Sequence, residues 1–470
     1  MHLLLSTGTP YPSWLSPGDN SWQLTAATLV GLMSLPGIAV LYGGLVQKKW
    51  GVNTMLMAFS AFSLVLVVWV LWAFKMGFGS PWIGGHLHLL GKPGLSTAHG
   101  AEQNQAQIPL LNGAQPDFRF PQSSLVYFQF VFAAITPLLF LGSVIGRMNF
   151  RAWLIFVPLW TTFAYTVNAY LLWGGGFWAA KGALDYSGGY VIHLAAGTSG
   201  FVAAAVIGPR LKRDRDHGAP NNLLMCAAGA GILWLGWNGF NGGDPYFAGA
   251  DAAAAVLNTN LATAVALLVW LILDMGFSRQ RKPTLLGSVN GMIVGLVAIT
   301  PAAGYVDGVG AIAIGLIAST IVWLSWNYLG KTRLMQRVDD TLGVFHTHGV
   351  AGLVGGVLVG FLANPKMIVY IAPGFSAKGL LYGHPWQVML QLGAAGTVIV
   401  WDALVTFVLL KVIGRFVRLR MTDEELQIGD LAVHEEELYP ADILAARPDR
   451  TVAVGATSAA ATANPTAGTV

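Results

Sequence analysis

The sequence predicts an all-α integral membrane protein with eleven transmembrane helices, arranged as an inverted 5+5 repeat plus one extra helix. Three observations support this fold class. Of the 470 residues, 54% are hydrophobic and only 10% are charged, whereas a soluble domain carries about 25% charged residues. Eleven stretches are apolar over about 20 residues, the length that crosses the hydrocarbon core of a bilayer. One short polar pattern also occurs twice, once in each half of the chain.

The candidate spans follow one another closely, and short glycine-rich turns separate several of them. Residues 79–122 interrupt this order with a long stretch rich in Gly, Pro, Gln and His, which we expect to form a surface loop. Together the spans define a membrane domain over residues 22–414. They are 22–46, 53–78, 123–146, 152–174, 188–208, 222–241, 253–275, 285–303, 307–328, 342–363 and 388–414.

The placement of lysine and arginine predicts the orientation, because cytoplasmic loops carry an excess of both. Of the 26 such residues, 20 fall in one set of loops and the C-terminal end, and six fall on the other side. We therefore expect a multi-pass protein of the plasma (inner) membrane, with its N-terminus outside and its C-terminus cytoplasmic. An odd number of spans satisfies this sidedness. Residues 1–21 then form an extracytoplasmic segment without the pattern of a classical signal peptide.

The chain changes character after the last span. Residues 415–440 are polar and acidic and predict a cytoplasmic tail, and residues 441–470, rich in Ala and Thr, predict disorder. No basic stripe lies in a folded soluble domain, so a nucleic-acid partner is not expected. The single cysteine, Cys226, excludes an intrachain disulfide framework.

The repeated pattern joins an aspartate to a histidine eight residues later. Asp185 and His193 open the fifth span, and Asp340 and His348 open the tenth. An ionisable residue inside a membrane is costly and is by default a functional candidate. Two such patterns at matching positions indicate that the two halves of the chain are inverted structural repeats with a site between them. A glycine follows each histidine by four residues, namely Gly197 and Gly352. A pair of glycines also ends the first span of each half, at 43–44 and at 242–243.

Histidine can accept and donate a proton near neutral pH. A buried pair with no carboxylate beside it stays mostly neutral, because burial disfavours the charged form. We therefore interpret His193 and His348 as two imidazoles that share a hydrogen bond and form a polar track for a small solute or a proton. The alternative is that they only pack two helices together. His346 falls on nearly the opposite helical face from His348, so no metal site is predicted.

Asp185 and Asp340 stand at helix N-termini, where a carboxylate can accept hydrogen bonds from free backbone amides. We interpret both aspartates mainly as helix caps, and the alternative is that one of them contacts a cation directly. Asp402 lies within the last span without an evident partner in sequence, and we assign it no role. Three intramembrane asparagines are expected to form hydrogen bonds across helices, namely Asn168, Asn258 and Asn260.

Three aromatic residues, Phe132, Trp173 and Phe240, lie near the outer ends of the third, fourth and sixth spans. Aromatic belts at the membrane interface are common at this depth. The sharper interpretation is a cation–π cup for a small cation, worth about 1–2 kcal/mol per ring when desolvated. Asp244 follows Phe240 by four residues, and it either raises the local cation concentration or faces water.

Together these residues resemble the ammonium transporter family (Amt/MEP) over about residues 22–440. The matching segments keep their order and spacing, which makes the resemblance specific. They are 41–46 (LYGGLV), 128–129 (FQ), 173–176 (WGGG), 185–193, 239–241 (GFN) and 344–352 (VFHTHGVAG). The sequences FNGGDP at 240–245 and FHTHG at 345–349 are similar to those of the branch that includes plant type-2 ammonium transporters and bacterial relatives.

The resemblance implies a homotrimer in which each subunit has its own narrow hydrophobic pore. It also implies that residues 419–439 belong to a tail that couples subunits and helps to dock a PII-type signalling protein. By matching position it implies a recruitment site at Trp173 and Phe132, a gate at Phe132 and Phe240, twin pore histidines at His193 and His348, and a structural aspartate at Asp185.

Three positions depart from the pattern of many family members. Asp244 stands where the best-known members have a serine whose hydroxyl accepts a bond from ammonium, so the carboxylate belongs to the recruitment site or turns away from it. Gly343 replaces an aspartate, and His346 replaces a small residue. These departures concern affinity and coupling in this branch rather than the pore itself.

We therefore expect an ammonium transporter that recruits NH₄⁺ at the outer aromatic site, deprotonates it and passes NH₃, with or without a relayed proton. A bare ammonium ion in hydrocarbon faces a penalty of tens of kcal/mol, which cation–π contacts cannot cancel, whereas neutral ammonia avoids most of it. The expected small partners are ammonium, ammonia and lipid, and no cofactor is expected.

Two other functions compete with this one. An ammonium sensor acting through the tail is disfavoured because no output domain follows residue 440. A channel for neutral gas, like the Rhesus-type relatives, is disfavoured by Trp173 at the recruitment position. An intramembrane enzyme is not expected, because the sequence contains no evident nucleophile–base pair and no metal-ligand set.

Overall fold

The computed structural model describes residues 11–83, 88–108, 118–216, 218–367 and 376–439, and the regular secondary structure of this part of the chain is almost entirely helical. Ten helices among the described residues are long and apolar enough to cross a membrane, and one further apolar helix is shorter. They are α1 (Pro17–Leu45), α2 (Lys48–Phe78), α3 (Gln122–Val144), α4 (Phe150–Lys181), α5 (Gly189–Ile207), α6 (Leu223–Gly243), α7 (Ala250–Phe277), α8 (Leu285–Ile299), α9 (Gly308–Lys331), α10 (Phe345–Leu362) and α11 (Trp386–Ile413).

Each predicted span coincides with one of these helices, although the ends differ by a few residues. Helix α1 begins earlier than predicted because the Ser16 hydroxyl accepts a hydrogen bond from Asp19 N and Pro17 occupies the first turn. The eighth span, predicted as 285–303, is the exception. Helix α8 has only 15 residues and ends before Pro301, so it extends about 22 Å, less than a bilayer core of about 30 Å.

Several helices contain a π-helical turn, which inserts one residue into the hydrogen-bond ladder and shifts the side chains that follow. Among the described residues these turns are Met33–Gly37, Trp69–Ala73, Thr161–Tyr165, Gly189–Leu194 and Phe345–Val350. The last two open α5 and α10 and contain His193 and His348. The two histidines therefore lie in equivalent irregular turns.

Most described residues of the long loop before α3 are exposed or half-buried, in keeping with the predicted surface loop, but the loop also has regular structure and a buried end. Its first part forms a short antiparallel pair, β1 (Pro81–Ile83) with β2 (Leu90–Gly91). Its last part contributes Phe118 and Phe120, which are fully buried and pack on Tyr246 after α6. Aromatic burial of this size outweighs the polar composition of the rest of the loop.

Helices α1 and α6 run in opposite directions, because Trp22 near the start of α1 contacts Gly242 at the end of α6, while Asn221 just before α6 contacts Gly43 near the end of α1. These contacts mark two ends of the bundle. The end that holds Trp173, the 183–188 segment and the turn after α6 is here named the Trp173 end. The other end, named the tail end, holds residues 415–439. Two short helices, α12 (Asp423–Ile428) and α13 (Asp430–His434), follow α11 there. Residues 1–10 and the predicted disordered segment 441–470 lie outside the described residues.

The tail packs against the start of α2. The Asp430 carboxylate accepts hydrogen bonds from Val52 N at 2.7 Å and Asn53 N at 3.0 Å, which caps that helix. The His434 ring contacts the Asn53 side-chain oxygen at 2.9 Å. Lys49 Nζ donates to Leu426 O at 2.7 Å. The described part of the tail is thus an ordered element that packs against the start of α2 at this end of the bundle.

Candidate substrate pore

Helices α5 and α10 cross at their glycines. A Cβ atom on Gly197 would collide with the backbone of Gly349, and a Cβ atom on Gly352 would lie 2.6 Å from Gly189 O and 3.1 Å from His193 Cβ. Only hydrogen in place of a side chain permits this approach. The glycine that follows each histidine in sequence therefore serves to bring the two histidine-bearing turns together.

The two aspartates of the repeat cap these turns, as the sequence predicts. Asp185 accepts hydrogen bonds from Gly188 N at 3.2 Å and from the amides of Tyr190 and Val191 at 3.0 Å each. Asp340 accepts from Val344 N at 3.2 Å and Phe345 N at 2.8 Å. Because these backbone donors occupy both carboxylates, the capping interpretation is preferred over direct contact with a cation.

His193 and His348 are in direct contact. Their Nδ1 atoms are 3.2 Å apart and their ring centroids 5.3 Å apart, and the exposed fractions of the two residues are 0% and 4%. No described carboxylate forms a hydrogen bond with either ring. The Trp237 indole stacks on His193 with ring centroids 5.3 Å apart and an interplanar angle of 17°, and its Nε1 donates to Thr300 Oγ1 at 2.9 Å. The pair is thus held in place from the side by a fixed aromatic wall.

His346 does not join this pair, in agreement with the predicted opposite face. Its Nδ1 lies 2.8 Å from Ser325 Oγ on α9. Within the described residues no group of three or more His, Cys, Asp or Glu side chains could hold a metal ion.

The three aromatic residues form a column that leads from Trp173 to the histidines. The rings of Phe132 and Phe240 stack with centroids 4.3 Å apart at 19°, and Phe240 lies 6.0 Å from the His193 ring. Trp173 meets Phe132 edge to face at 6.3 Å, and its Nε1 donates to Asp185 O at 2.7 Å. Because Phe132 and Phe240 are fully buried, the interfacial-belt interpretation is wrong for both.

Asp244 is buried rather than facing water, with 7% of its surface exposed. The Ser187 hydroxyl forms a hydrogen bond with the Asp244 carboxylate and lies 3.0 Å from Phe240 O. Nearby, Gln129 Nε2 lies 2.8 Å from the Tyr246 hydroxyl. The carboxylate therefore belongs to the polar wall beside the aromatic column.

At the tail end, a cavity of about 570 Å³ reaches His348. Its lining combines apolar residues, such as Leu41 and Ile293, with polar and charged ones. The latter include Asp274, Arg279, Lys282, Asn290, Asn327 and Lys331. The histidine pair thus lies between the aromatic column on one side and an open vestibule on the other.

Two contributors were not singled out from the sequence. Trp237 lies three residues before Phe240, so a helical reading of α6 places both on one face. Ser187 lies inside the 185–200 segment, two residues after Asp185. Neither residue type signals a pore by itself, and only their contacts with His193 and Asp244 identify them.

Comparison with known proteins identifies the family. The model of the Ammonium Transporter Family matches residues 21–439. The chain is 51% identical to ammonium transporter 2 of Arabidopsis thaliana over 431 residues, 91% of this chain and 89% of that one. It is 50% identical to ammonium transporter 2 member 1 of Oryza sativa subsp. japonica, covering 91% and 88%. The crystal structure of Saccharomyces cerevisiae Mep2 aligns with a TM-score of 0.77 at 28% identity, covering 89% and 92%. The chain therefore belongs to the ammonium transporter family (Amt/MEP), a family of membrane transport proteins rather than enzymes, and within it resembles the plant type-2 members.

Proposed function

We propose that this protein transports ammonium across a membrane through the column that runs from Trp173 to His348. The observation that carries the proposal is the buried His193–His348 contact at 3.2 Å directly below the Phe132–Phe240 stack. Along this path a solute meets first the aromatic side chains of Trp173 and Phe132, then the closed Phe132–Phe240 stack, and then the polar histidine pair. This order suits a solute that arrives as a cation and passes as a neutral molecule.

Recruitment takes place at the Trp173 end. The faces of Trp173 and Phe132 attract a small cation, and the Asp244 carboxyl group, which forms a hydrogen bond with Ser187, adds an oxygen acceptor beside them. Asp185 is the structural residue of this site, because its carbonyl fixes the Trp173 indole while its carboxylate caps α5.

Passage of the ion itself through the gate is excluded on energetic grounds. Moving a bare cation into an apolar constriction costs tens of kcal/mol, and cation–π contacts return about 2 kcal/mol each. Loss of one proton leaves ammonia, which can form hydrogen bonds with the imidazoles as it passes. Potassium has no proton to lose, so the same barrier excludes it. The hydrogen-bonded imidazoles also provide a route by which the released proton can follow.

We propose eleven membrane spans, α1 to α11, with α1–α5 and α6–α10 as inverted copies and α11 outside the repeat. The equivalent aspartate caps and equivalent π turns of α5 and α10 support this symmetry. The basic residues concentrate at the tail end, which therefore faces the cytoplasm of a plasma (inner) membrane, with residues 1–21 outside.

Large apolar side chains remain exposed on α7 and α9, among them Leu257, Leu268, Ile272, Val309 and Leu316. Exposed apolar side chains of this kind fit lipid or another subunit, and we propose a homotrimer embedded in lipid. Residues 22–414 are then the transport domain and residues 415–440 a cytoplasmic regulatory tail. The ordered docking of that tail on α2 supports a role in coupling subunits and in contact with a PII-type signalling protein.

Purified protein in liposomes tests the proposal, with ammonium uptake followed by an internal pH dye and by current on a supported membrane. We expect saturable uptake that potassium does not replace, and the current reports whether the proton follows. Asp244→Ser, assayed alongside, should weaken the apparent affinity for ammonium and leave potassium exclusion intact. Liposomes that hold correctly assembled protein but take up no ammonium would refute the proposal.

A further inference from the structure

A second buried polar group lies away from the pore, where α11 packs against α4 and α5. Asp402, in the middle of α11, has an exposed fraction of 0%. Its Oδ2 accepts a hydrogen bond of 2.6 Å from Asn168 Nδ2 on α4. The Ser199 hydroxyl on α5 also contacts the carboxyl group, and it lies 3.0 Å from Trp160 Nε1. A carboxyl group thus joins three membrane helices.

The hydrogen bonds around this carboxyl group do not balance. Asp402 Oδ1 and Asn168 Oδ1 are both buried, and neither receives a hydrogen bond from a described residue. One turn farther along α11, the Thr406 hydroxyl is also buried without a described partner. Two acceptor oxygens on a hydrogen-bonded pair of side chains therefore lack a donor, which is costly at this depth.

No described cation neutralises Asp402. The charged residues on the helices packed around it are Arg151, Lys181 and Lys411, and all three are exposed near helix ends. The titratable residues on those helices have other neighbours. Tyr165 packs on Trp69 and Tyr170 lies against Gly174. Tyr190 lies near Gln391, and His193 contacts His348. The groups that face Asp402 are therefore an amide and a hydroxyl, which carry no charge.

We propose that Asp402 is an intramembrane proton-binding site, in which the proton is held between Asp402 Oδ1 and Asn168 Oδ1. The acid O–H donates to the amide oxygen while the amide Nδ2 donates to Oδ2, so the two side chains form a closed acid–amide pair. One proton supplies the missing donor for both orphan oxygens and removes a negative charge from the membrane interior. The ligand of this site is the proton itself.

This site bears on the helix that carries His193. Ser199 lies on α5 six residues after His193, and its contacts with Trp160 and Asp402 fix α5 against α4 and α11. A neutral acid holds this joint without strain, whereas an ionised one places an unpaired charge beside the pore helix. The joint is therefore strongest while the proton is bound, and alkaline pH weakens it.

Infrared spectroscopy of the full-length protein in liposomes tests the proposal, because a protonated carboxyl group has its own carbonyl stretching band. We expect the difference spectrum of wild type minus Asp402→Asn at pH 7 to contain one such band, which shifts on exchange into heavy water. Absence of the band from that difference spectrum would overturn the proposal, since Asp402 would then be ionised.

The exchange variant Asp402→Asn with Asn168→Asp is the matched control. It keeps one acid and one amide at the same joint and moves the acid to α4. We expect the protonated carboxyl band to return in this double variant. If the three helices need only a hydrogen-bonding side chain here and no proton, the carboxyl group of the exchange variant will be ionised and its band will be absent. That result would contradict the proposal.

Thermal unfolding provides a second readout for the same three proteins. The unfolding midpoint of wild type and of the exchange variant should fall, relative to that of Asp402→Asn, as the pH is raised from about 4, where a carboxyl group of the unfolded chain loses its proton, toward 8. The sign follows because the native state holds the proton more tightly than the unfolded chain does. Parallel midpoints over this range would contradict the proposal.

Discussion

His193 Nδ1 lies 3.2 Å from His348 Nδ1, and the two residues are 155 positions apart in sequence. At that distance one ring donates its proton to the other, so the two Nδ1 atoms hold a single proton between them when both rings are neutral. Each ring then has its Nε2 edge left for other partners, and His193 Nε2 is buried without a described partner. The pair thus presents one row of polar atoms along an otherwise apolar path.

The first prediction concerns this row. His193→Ala combined with His348→Ala removes both hydrogen-bonding partners of a passing ammonia molecule, each worth about 1–1.5 kcal/mol. We expect ammonium uptake by liposomes to fall by roughly 10- to 100-fold. The matched control is His346→Ala, which removes a neighbouring histidine that contacts Ser325 instead. Unchanged uptake and unchanged potassium exclusion in the double variant would rule out the proposed path.

A second prediction addresses the crossing that makes the contact possible. A side chain at Gly197 meets the backbone of Gly349, which cannot turn away as a flexible side chain could. Gly197→Ala should therefore push α5 and α10 apart, at a cost of about 1–3 kcal/mol in stability, and uptake should fall with it. Gly231→Ala on α6 is the control, since nothing lies within 4 Å of its added Cβ. Equal melting temperatures for the two variants would contradict this explanation.

The third prediction separates gating from packing. Phe240→Ala opens the stacked pair above His193, whereas Phe140→Ala removes an equally buried ring that packs on Trp153 and Trp160. Both should destabilise the protein by about 3–5 kcal/mol. Only Phe240→Ala should admit potassium, measured as a potassium current in the absence of ammonium. A potassium leak of similar size in both variants would indicate general loosening instead of a gate.

Much of this arrangement follows from the sequence, and the limits have physical causes. The caps at Asp185 and Asp340 were predictable because a carboxylate just before an apolar run has few other roles. The π turns that carry the histidines were not, because residue types do not reveal a change of hydrogen-bond register. Asp402 had no visible partner because Asn168 is 234 residues away and meets it only through helix packing.

The loop before α3 shows a different limit. Its composition predicted exposure, yet Phe118 and Phe120 are buried against Tyr246. Composition averages over a segment, whereas two aromatic side chains suffice to anchor its end. Phe132 and Phe240 show the same limit. Their positions near the ends of spans suggested an aromatic belt at the membrane interface, and only the stacking of their two rings shows that they belong to the column leading to the histidines.

A fourth prediction uses the ion pairs at the tail end, outside the membrane spans. Burial alone would raise the pKa of the Asp339 carboxyl, but its hydrogen bonds with Arg210 and the charge of Arg147 outweigh burial and lower that pKa to about 2. Asp339→Asn leaves two guanidinium groups without this carboxylate. We expect a loss of stability of about 3–5 kcal/mol at neutral pH, as for other broken buried pairs.

The pH dependence of that loss has a definite sign. Because the native pKa lies below the ordinary value of about 3.9, Asp339 contributes its stability above that value and loses it as the pH falls toward 2. The melting temperatures of wild type and Asp339→Asn should therefore converge between about pH 4 and pH 2. The exposed Asp216→Asn, from the short helix Lys212–Asp216 beside Arg210, is the control and should show no gap at neutral pH. A gap for Asp339→Asn that persists in acid would contradict the ion-pair explanation.

The last prediction concerns the docking of the tail. Gly429, between α12 and α13, has a φ of +92°, and a Cβ atom there would collide with the backbone oxygen of Lys49. Gly429→Ala therefore adds both backbone strain and a clash, and we expect the 423–434 segment to leave the start of α2. Asp430 accepts hydrogen bonds from the amides of Val52 and Asn53 in the docked tail, so these amides would then be exposed. Hydrogen exchange measured by mass spectrometry should rise in residues 50–54 and 423–434.

Gly383→Ala is the matched control for that experiment, because Gly383 has a φ of +85° but nothing within 4 Å of its added Cβ. It reproduces the strain of a left-handed alanine without a neighbour to displace, so exchange in the tail should stay at the wild-type level. If Gly429→Ala also left exchange unchanged, the added Cβ atom would not displace the segment from Lys49, and the prediction would be contradicted. If both variants raised it, the effect would come from general destabilisation and not from the lost docking of the tail.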